Sequence, residues 1–337
     1  MKKIKSIIIF IIIILFFAGV IFVFDLKSKV EFEGEKEFIA LRGESVGQIA
    51  RNLVAQDVIN SEWTFKFYVW LKGWQSSIQA GTYILTPMSI SDVATTLVSG
   101  KVDNEISLKF IEGWTAQEIA NELVARKIII NSQEFLNLAQ AKNFSSEYSG
   151  KFSFLKDVES RSLEGFLFPD TYSVYKDATV NDVIIKMLDN FNDKLTPALR
   201  TEIKAQGKTI YQVLIMASII EAEVQTDEDR KLISDILWKR LDSQMPLQVD
   251  SSLKYVIGKQ DRNALTYAEL KIDSLYNTYK YKGLPPTPIC NPGESAIRSA
   301  IYPKNSDFWF YLSDKQGVTH FSKTDTEHEE NIVEYLK

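Results

Sequence analysis

Two acidic residues, Glu221 and Glu223, end the apolar stretch IMASIIEAEV at 215–224. On a helix that advances about 100° per residue, Glu221 falls in line with Leu214 and Ala217, whereas Glu223 lies about 200° further round. A carboxyl placed in or against a packed core has its pKa raised by desolvation, which is how a general acid is prepared. Two interpretations stay open here: Glu221 is a buried general acid, or the helix has surfaced and both glutamates are solvated.

Three other acids could act as a partner for Glu221. Glu164 and Asp170 bracket the aromatic part of LEGFLFPDTY, and Asp250 follows Gln248 in LQVDSS. A glycosidase that uses two carboxylates would need one of these about 5 to 9.5 Å from Glu221. For each of the three acids, a helix-cap or surface role is the alternative.

The segment YNTYKYKGLPPTP at 276–288 combines tyrosines, an asparagine, threonines and rigid prolines. Aromatic faces pack against the C–H surfaces of sugars, and amide and hydroxyl groups hydrogen-bond their hydroxyls. This composition suits a sugar-binding loop, although a proline-rich segment can also be only a loop.

Several chemistries find no support in the sequence. The chain has one cysteine, Cys290, and two histidines, His320 and His328, which exclude an internal disulfide and leave too few ligands for a zinc cluster. The one G-x-S-x-G string, GESVG at 43–47, has its serine as a predicted helix N-cap, and neither histidine is placed by a recognisable triad motif. There is no phosphate-binding loop. We therefore expect neither a metal nor another cofactor.

The elements that must position these residues are mainly helices. One is capped by Thr179 or Asn181, a second starts at Thr209 and carries Glu221, and a third follows Thr226. A hairpin is predicted to turn at 314–317. We predict an α+β fold in which residues 161–337 form a mixed α+β catalytic domain.

The preceding region contains a partly repeated strand-turn-helix unit. At a constant offset of 70, six residues recur in register, among them Gly43 with Gly113 and Leu53 with Leu123. The first unit, over 38–103, resembles the LysM module, a small α/β fold that binds N-acetyl sugar chains in other proteins. Residues 104–160 are assigned to a second strand-helix module and connector. The alternative is that any two amphipathic helices share such residues.

The N-terminus predicts a membrane anchor. Three lysines, Lys2, Lys3 and Lys5, precede an uncharged apolar run over 7–24, which as a helix would be about 27 Å long. Residues 1–25 are therefore assigned to a cytoplasmic tip and a transmembrane signal-anchor, and 26–37 to a linker; a cleaved signal peptide is the alternative. The lysines place the N-terminus in the cytoplasm and the rest outside, at the cell membrane. The net charge of −5, without a basic stripe, argues against nucleic acid.

Taken together, five segments resemble the endolytic murein transglycosylase (YceG-like) family. In the order that the family has, they are LEGFLFPDTY (163–172), ASIIEAE (217–223), LQVDSSLKY (247–255), YNTYKYKGLPPTPICNPG (276–293) and THFSKTDTEH (319–328). Members of this family cleave nascent peptidoglycan strands internally, between N-acetylmuramic acid and N-acetylglucosamine, and leave a 1,6-anhydro-muramic end. The resemblance implies the same lyase activity here and glycan strands as the substrate, with the membrane and peptidoglycan synthases as possible neighbours.

The resemblance also implies site residues. The catalytic acid of the family is the first glutamate of A-S-I-x-E-x-E, which is Glu221 in this chain. The positions implied to line the glycan cleft are Gln248, Asp250, Asn277, Tyr279, Asn291, His328 and Glu164.

In the implied mechanism one enzymic acid is sufficient, because the nucleophile is the 6-hydroxyl of the substrate itself. This removes the need for the second carboxylate sought above. Two alternative functions stay open: a peptidoglycan hydrolase that uses water, and a non-catalytic glycan-binding scaffold.

The sequence departs from the usual family pattern at several positions. Ser251 and Ser252 stand where a Pro-Thr pair is usual, Leu275 replaces a proline, and Thr287 and Cys290 occupy positions that are usually glycine and a small residue. None of these changes removes an ionisable catalytic group. They bear on loop geometry and substrate register.

Overall fold

The computed structural model describes residues 2–100, 105–140, 146–156, 158, 162–175, 178–259 and 265–336. Within these residues the fold is α+β, with three sheets of two strands each. The chain packs into two compact units, the first Met1–Ile106 with Ser173–Asp177 and the second Ser107–Tyr172 with Ala178–Lys337. The domain boundaries predicted near 103 and 160 fall on residues outside those described, so they stay a prediction.

The first unit surrounds one apolar core. Its elements are α1 (Lys2–Lys27), β1 (Lys36–Ala40), α2 (Val46–Ala55), α3 (Glu62–Leu71), β2 (Gly81–Leu85) and α4 (Ile90–Ser99). Strands β1 and β2 pair antiparallel with Phe38 opposite Tyr83, and both rings are fully buried together with Phe65 of α3. The order is strand, helix, helix, strand, and Ser45 and Ser61 cap the two helices between the strands.

The predicted transmembrane signal-anchor is wrong. Across the part of the chain that the structure describes, no helix is both long and apolar enough to cross a membrane. The end of α1 instead packs against protein, at α3. The ring of Phe22 lies edge-on to Trp63 and Phe67 of α3, and the Thr64 hydroxyl donates a hydrogen bond to Asp25.

The second unit is mostly helical. The elements after α4 are β3 (Glu105–Lys109), α5 (Ala116–Ala125), α6 (Ser132–Ala139), α7 (Ser146–Lys151), β4 (Thr171–Tyr175), α8 (Val180–Lys194), α9 (Pro197–Ala205), α10 (Ile210–Glu223), α11 (Asp227–Asp242), α12 (Asp250–Ile257), α13 (Glu294–Ile301), β5 (Phe310–Ser313), β6 (Thr319–Ser322) and α14 (Asp325–Tyr335). All of them lie in the second unit except the first two residues of β3 and the last three of β4. Strand β3 pairs with β4, and β5 with β6. Short 3-10 turns occur at Ser153–Leu155 and Glu269–Lys271.

Helix α10 lies at the centre of this second unit. It packs against α11, α12 and α13, and every residue from Val213 to Ile220 is buried. A capping box fixes its start, because Thr209 accepts a hydrogen bond from the backbone N–H of Gln212 and the Gln212 side chain accepts one from Thr209. The element that carries Glu221 is therefore held along its length by apolar packing.

The repeat at an offset of 70 is visible in backbone geometry. Gly43 and Gly113 have φ of +84° and +83°, a left-handed conformation that favours glycine. Two residues later, Ser45 and Thr115 each begin a helix with a capping box. Identical turns and caps at one offset favour a repeated unit over chance similarity.

Candidate active site

Glu221 sits in the last turn of α10 with its side chain only 7% exposed. Arg230 Nη2 donates a hydrogen bond to Glu221 Oε1 at 2.6 Å. The backbone N–H of Gly293 donates another to Oε2 at 3.0 Å. Both carboxyl oxygens are therefore held in a fixed orientation, and of the two interpretations of this helix end, the buried carboxyl is the one observed.

The surroundings of Glu221 favour retention of its proton. Burial raises the pKa of Glu221 above its ordinary value. The Arg230 charge and the Gly293 N–H oppose this rise in pKa, whereas the carboxylates of Glu112 and Asp227 add to it. The net effect is a carboxyl that stays protonated at higher pH than a solvated glutamate, as general acid catalysis requires.

The backbone of the turn before α5 lies close to the Glu221 side chain. A Cβ built on Gly113 would lie 3.6 Å from Glu221 Cγ. The Gly113 N–H donates to the Asn291 carbonyl at 2.9 Å, and the Asn291 N–H donates to the Trp114 carbonyl at 2.8 Å. This pair of backbone hydrogen bonds fixes the loop that supplies the Gly293 N–H.

The Asn291 side chain, which is 0% exposed, links three segments of the second unit. Its Oδ1 accepts hydrogen bonds from the backbone N–H groups of Gly165 (2.8 Å) and Leu167 (3.0 Å). Its Nδ2 donates to the Trp114 carbonyl (3.0 Å) and to Glu164 Oε1 (2.8 Å). Asn291 therefore holds the loops around Glu221 together.

Glu164 is a second buried acid, 2% exposed. The N–H of Ala116, in the first turn of α5, donates to it at 2.9 Å, and the Tyr255 hydroxyl donates at 3.2 Å. Burial raises the pKa of Glu164 to about 7, in spite of these hydrogen bonds. Through these hydrogen bonds and the one from Asn291, Glu164 links the start of α5 to α12 and to the loop before α13.

Glu223 belongs to a different set of neighbours from Glu221. The Tyr311 hydroxyl of β5 donates to Glu223 Oε2 at 3.3 Å, and burial raises the pKa of Glu223. Asp250, whose charge adds to that rise, accepts a hydrogen bond from the Tyr279 hydroxyl at 2.6 Å. We name these four residues, Glu223, Asp250, Tyr279 and Tyr311, the acid-tyrosine cluster.

Arg240 borders the acid-tyrosine cluster. Its Nη1 donates to the Leu247 carbonyl at 3.0 Å and to Gln248 Oε1 at 3.3 Å. Its guanidinium carbon lies 5.0 Å from the centre of the Phe310 ring, which stacks on His328 with 5.3 Å between ring centres. Burial lowers the pKa of His328, and the charge of Arg240 lowers it further.

The residues predicted to line a glycan cleft divide by exposure. Gln248 is exposed, and Asp250, Tyr279 and His328 are half-buried, so these four side chains reach solvent. The other three are buried: Asn277, Asn291 and Glu164. A direct contact with glycan stays a prediction for each of the seven.

Asn277, like Asn291, is bonded to the protein itself. It is 0% exposed, and its Nδ2 donates to the carbonyls of Leu270 at 2.9 Å and Ile272 at 2.8 Å. Its Oδ1 accepts from the Tyr279 backbone N–H at 3.1 Å. The side chain thus shapes the loop that presents Tyr279.

Asp170, considered above as a partner acid, is engaged at the start of β4. It accepts hydrogen bonds from Asn190 Nδ2 at 3.0 Å and from the Thr171 N–H at 2.7 Å. These contacts give Asp170 a structural role, which was the alternative to its role as a partner acid for Glu221.

Sequence reasoning missed four features of this region: Arg230, the desolvation of the Glu223 carboxyl, Tyr311 and Arg240. One signal could have identified Arg230. It follows Asp227, Glu228 and Asp229 in the first turn of α11, where the helix dipole disfavours a cation. Tyr311 and Arg240 carried no comparable signal, because Tyr311 bonds to Glu223 and Arg240 packs on Phe310, and each of these partners is far away in the chain.

Comparison with known proteins agrees with the resemblance seen in the motifs. A Bacillus subtilis (strain 168) protein named endolytic murein transglycosylase is 33% identical over 301 residues, which are 87% of this chain and 83% of that one. A Streptococcus pneumoniae (serotype 2, strain D39) protein of the same name is 32% identical over 317 residues, which are 87% of this chain and 57% of that one.

A crystal structure of a YceG-like protein from Listeria monocytogenes matches with a TM-score of 0.62 and 30% identity, over 89% of this chain and 99% of that one. The model of the family described as the YceG-like family matches residues 40–334. The chain therefore belongs to the YceG-like family.

Proposed function

We propose that this chain is an endolytic murein transglycosylase, a lyase that cleaves peptidoglycan glycan strands. The observation that carries the proposal is the buried Glu221 carboxyl, with one oxygen held by Arg230 and the other by the Gly293 N–H. The names of the B. subtilis and S. pneumoniae relatives support the same activity. The bond cleaved is the one between N-acetylmuramic acid and N-acetylglucosamine, inside the strand.

Glu221 acts first as an acid and then as a base. Its carboxyl gives its proton to the glycosidic oxygen as the bond from that oxygen to C1 of the muramic sugar breaks. The resulting carboxylate takes the proton of the 6-hydroxyl of the same sugar while O6 bonds to C1. The product is a 1,6-anhydro end, and Glu221 regains its proton. The internal nucleophile is already close to C1, which lowers the entropic cost of the step.

The glycan contacts are assigned by exposure. Gln248, Asp250, Tyr279 and His328 reach solvent and offer an amide, a carboxylate, a phenol and an imidazole to sugar hydroxyls and N-acetyl groups. The buried Glu164, Asn277 and Asn291 act through the loops that they hold.

The first unit is proposed to assist glycan binding. Its β1-α2-α3-β2 order, with an antiparallel strand pair, is the arrangement expected of a LysM-like module. Because peptidoglycan is assembled outside the cytoplasmic membrane, we place the active protein there, close to the synthases that make its substrate.

The test is the mass of the new strand ends that the purified full-length chain forms from uncrosslinked glycan. The proposal predicts 1,6-anhydro-muramic ends. Reducing ends that are one water heavier would assign the protein as a hydrolase. Strands that bind but release no fragments would make it a scaffold, and either result would overturn the proposal.

A further inference from the structure

Arg230 is held in one orientation at the end of the helix that carries Glu221. Its side chain is 8% exposed. Besides the 2.6 Å hydrogen bond from Nη2 to Glu221 Oε1, its Nε donates to the Val224 carbonyl at 3.4 Å, and Nη1 lies 3.7 Å from Asp227 Oδ1. The guanidinium thus contacts the acid, the end of α10 and the start of α11.

Helix stability does not explain this position for an arginine. The first turn of a helix disfavours a cation because of the helix dipole. Taking an ion pair out of water also carries a large desolvation cost, which the attraction between the charges offsets only in part. The arginine nevertheless faces the one acid that must ionise during the proposed reaction.

The contact with Arg230 also determines which oxygen carries the proton. A guanidinium has only donors, so a proton on Glu221 Oε1 could not point towards Arg230. Both oxygens accept from a donor, but the donor to Oε1 is charged and the Gly293 N–H is neutral, so Oε1 is the better place for the negative end of the carboxyl and the proton is favoured on Oε2. Oε2 can still accept from the Gly293 N–H through its remaining lone pair. Oε2 is then the atom that faces the glycosidic oxygen in the reaction.

We propose that Arg230 is a positioning residue that orients Glu221 and stabilises its carboxylate once the proton has left Oε2. This inference rests on the proposed transglycosylase function. When the bond from C1 to the leaving oxygen breaks, the proton moves to that oxygen and the negative charge left on Glu221 faces the guanidinium. When the substrate 6-hydroxyl gives its proton back, the charge is neutralised again.

The charged and titratable groups facing Glu221 come from three elements. Arg230 and Asp227 lie on α11, Glu112 lies in the turn before α5, and the Cys290 thiol lies in the loop before α13. Of these groups only Arg230 lowers the pKa of Glu221 by its charge, whereas Glu112 and Asp227 raise it. Removing the Arg230 charge and removing the Asp227 charge should therefore act in opposite directions.

The test is the pH dependence of kcat/KM for formation of anhydro ends by the full-length protein. The rate falls with rising pH as Glu221 ionises. In Arg230→Gln we expect the pH at which kcat/KM has fallen to half its maximum to rise by at least about one unit. We also expect the maximal rate to drop about 100-fold. Arg230→Lys keeps the charge but lacks the planar fork of donors. Its kcat/KM should therefore reach half its maximum near the same pH as in wild type, and its maximal rate should drop less than that of Arg230→Gln.

Asp227→Asn supplies the opposite shift. The Asp227 side chain is 70% exposed, so the variant should fold. We expect its kcat/KM to reach half its maximum at a slightly lower pH than in wild type. The matched control is Arg126→Gln, which removes an exposed ion pair with Glu122 on α5 and should keep the wild-type profile. Circular dichroism checks that each variant is folded.

The inference is overturned if Arg230→Gln loses activity while the pH of half-maximal kcat/KM stays at the wild-type value, since that is the behaviour of a merely structural residue. It is equally overturned if Arg230→Gln keeps the full rate, or if Arg230→Lys behaves as Arg230→Gln does. Should Arg230→Gln not fold, Arg230→Lys and Asp227→Asn decide by the same criteria. A wild-type protein that forms no anhydro ends would reject the proposed function itself, which is a separate result.

Discussion

At the scale of single residues, the two glutamates at the end of α10 show how position on a helix selects chemistry. Their separation of about 200° around the axis follows from helical geometry. In the structure Glu221 contacts Arg230 and Gly293, whereas Glu223 contacts Tyr311. The sequence could predict that the two side chains diverge. It could not predict that both carboxyls are desolvated, because the covering groups lie on other elements.

Glu164 gives a prediction about stability at this scale. Its pKa of about 7 in the folded protein exceeds its ordinary value of 4.5, so between these two pH values the unfolded chain ionises more readily. This residue should therefore lower the free energy of unfolding, by roughly 3 kcal/mol in total, as pH rises through that window.

The measurement is urea unfolding of wild type and Glu164→Gln between pH 4.5 and 7. The amide mimics the protonated acid, so the variant should lose less stability across this range than wild type does. Glu134→Gln, at an exposed position of α6, is the control and should follow wild type. Equal slopes for wild type and Glu164→Gln would show that Glu164 ionises alike in both states.

At the scale of elements, local signals predicted the long helices and the hairpin. The caps Thr179, Thr209 and Thr226 begin α8, α10 and α11, and β5 and β6 flank the predicted turn at 314–317. Helices α6 and α7, within the polar stretch 131–156, were not expected from the sequence. Short helices have too few turns to show a period and depend on packing that the local sequence does not record.

The candidate site was only partly predictable for the same physical reason. Motif order and helical phase both pointed to Glu221. The groups that set its protonation come from the turn at 112–114, from Arg230 and from Gly293, and the first and last of these are far away in sequence. The approach of the turn and of the Gly293 loop depends on the hydrogen bonds of Asn291, and the hydrophobic periodicity of the sequence does not predict these.

Gly165 gives a prediction at the element scale. Its φ is +88°, and a Cβ there would lie 2.5 Å from Pro288 Cγ. We expect Gly165→Ala to lower the free energy of unfolding by about 2 to 5 kcal/mol. The reasons are that alanine is strained in a left-handed conformation and that the rigid proline ring must be displaced.

Gly317→Ala is the matched control, since its φ is +83° with nothing within 4 Å of the added atom. It should cost only about 1 to 2 kcal/mol. The measurement is urea unfolding followed by circular dichroism. Equal losses in the two variants would mean that the contact with Pro288 relaxes freely.

At the scale of the whole molecule, the proposed chemistry needs no metal ion. In the described ranges, no three or more His, Cys, Asp or Glu side chains are grouped so as to hold one. We expect the rate of anhydro-end formation to be unchanged after dialysis against EDTA. A loss of rate that an added divalent cation restores would contradict this prediction.

The proposed reaction depends most directly on Glu221. One measurement tests this dependence: the rate of 1,6-anhydro-end formation by Glu221→Gln, compared with that of Glu223→Gln. The amide keeps the shape of the side chain but has no proton to deliver. We predict that Glu221→Gln loses at least about 100-fold in rate while remaining folded, and that Glu223→Gln still forms anhydro ends. A folded Glu221→Gln protein that forms anhydro ends at the wild-type rate would contradict the account.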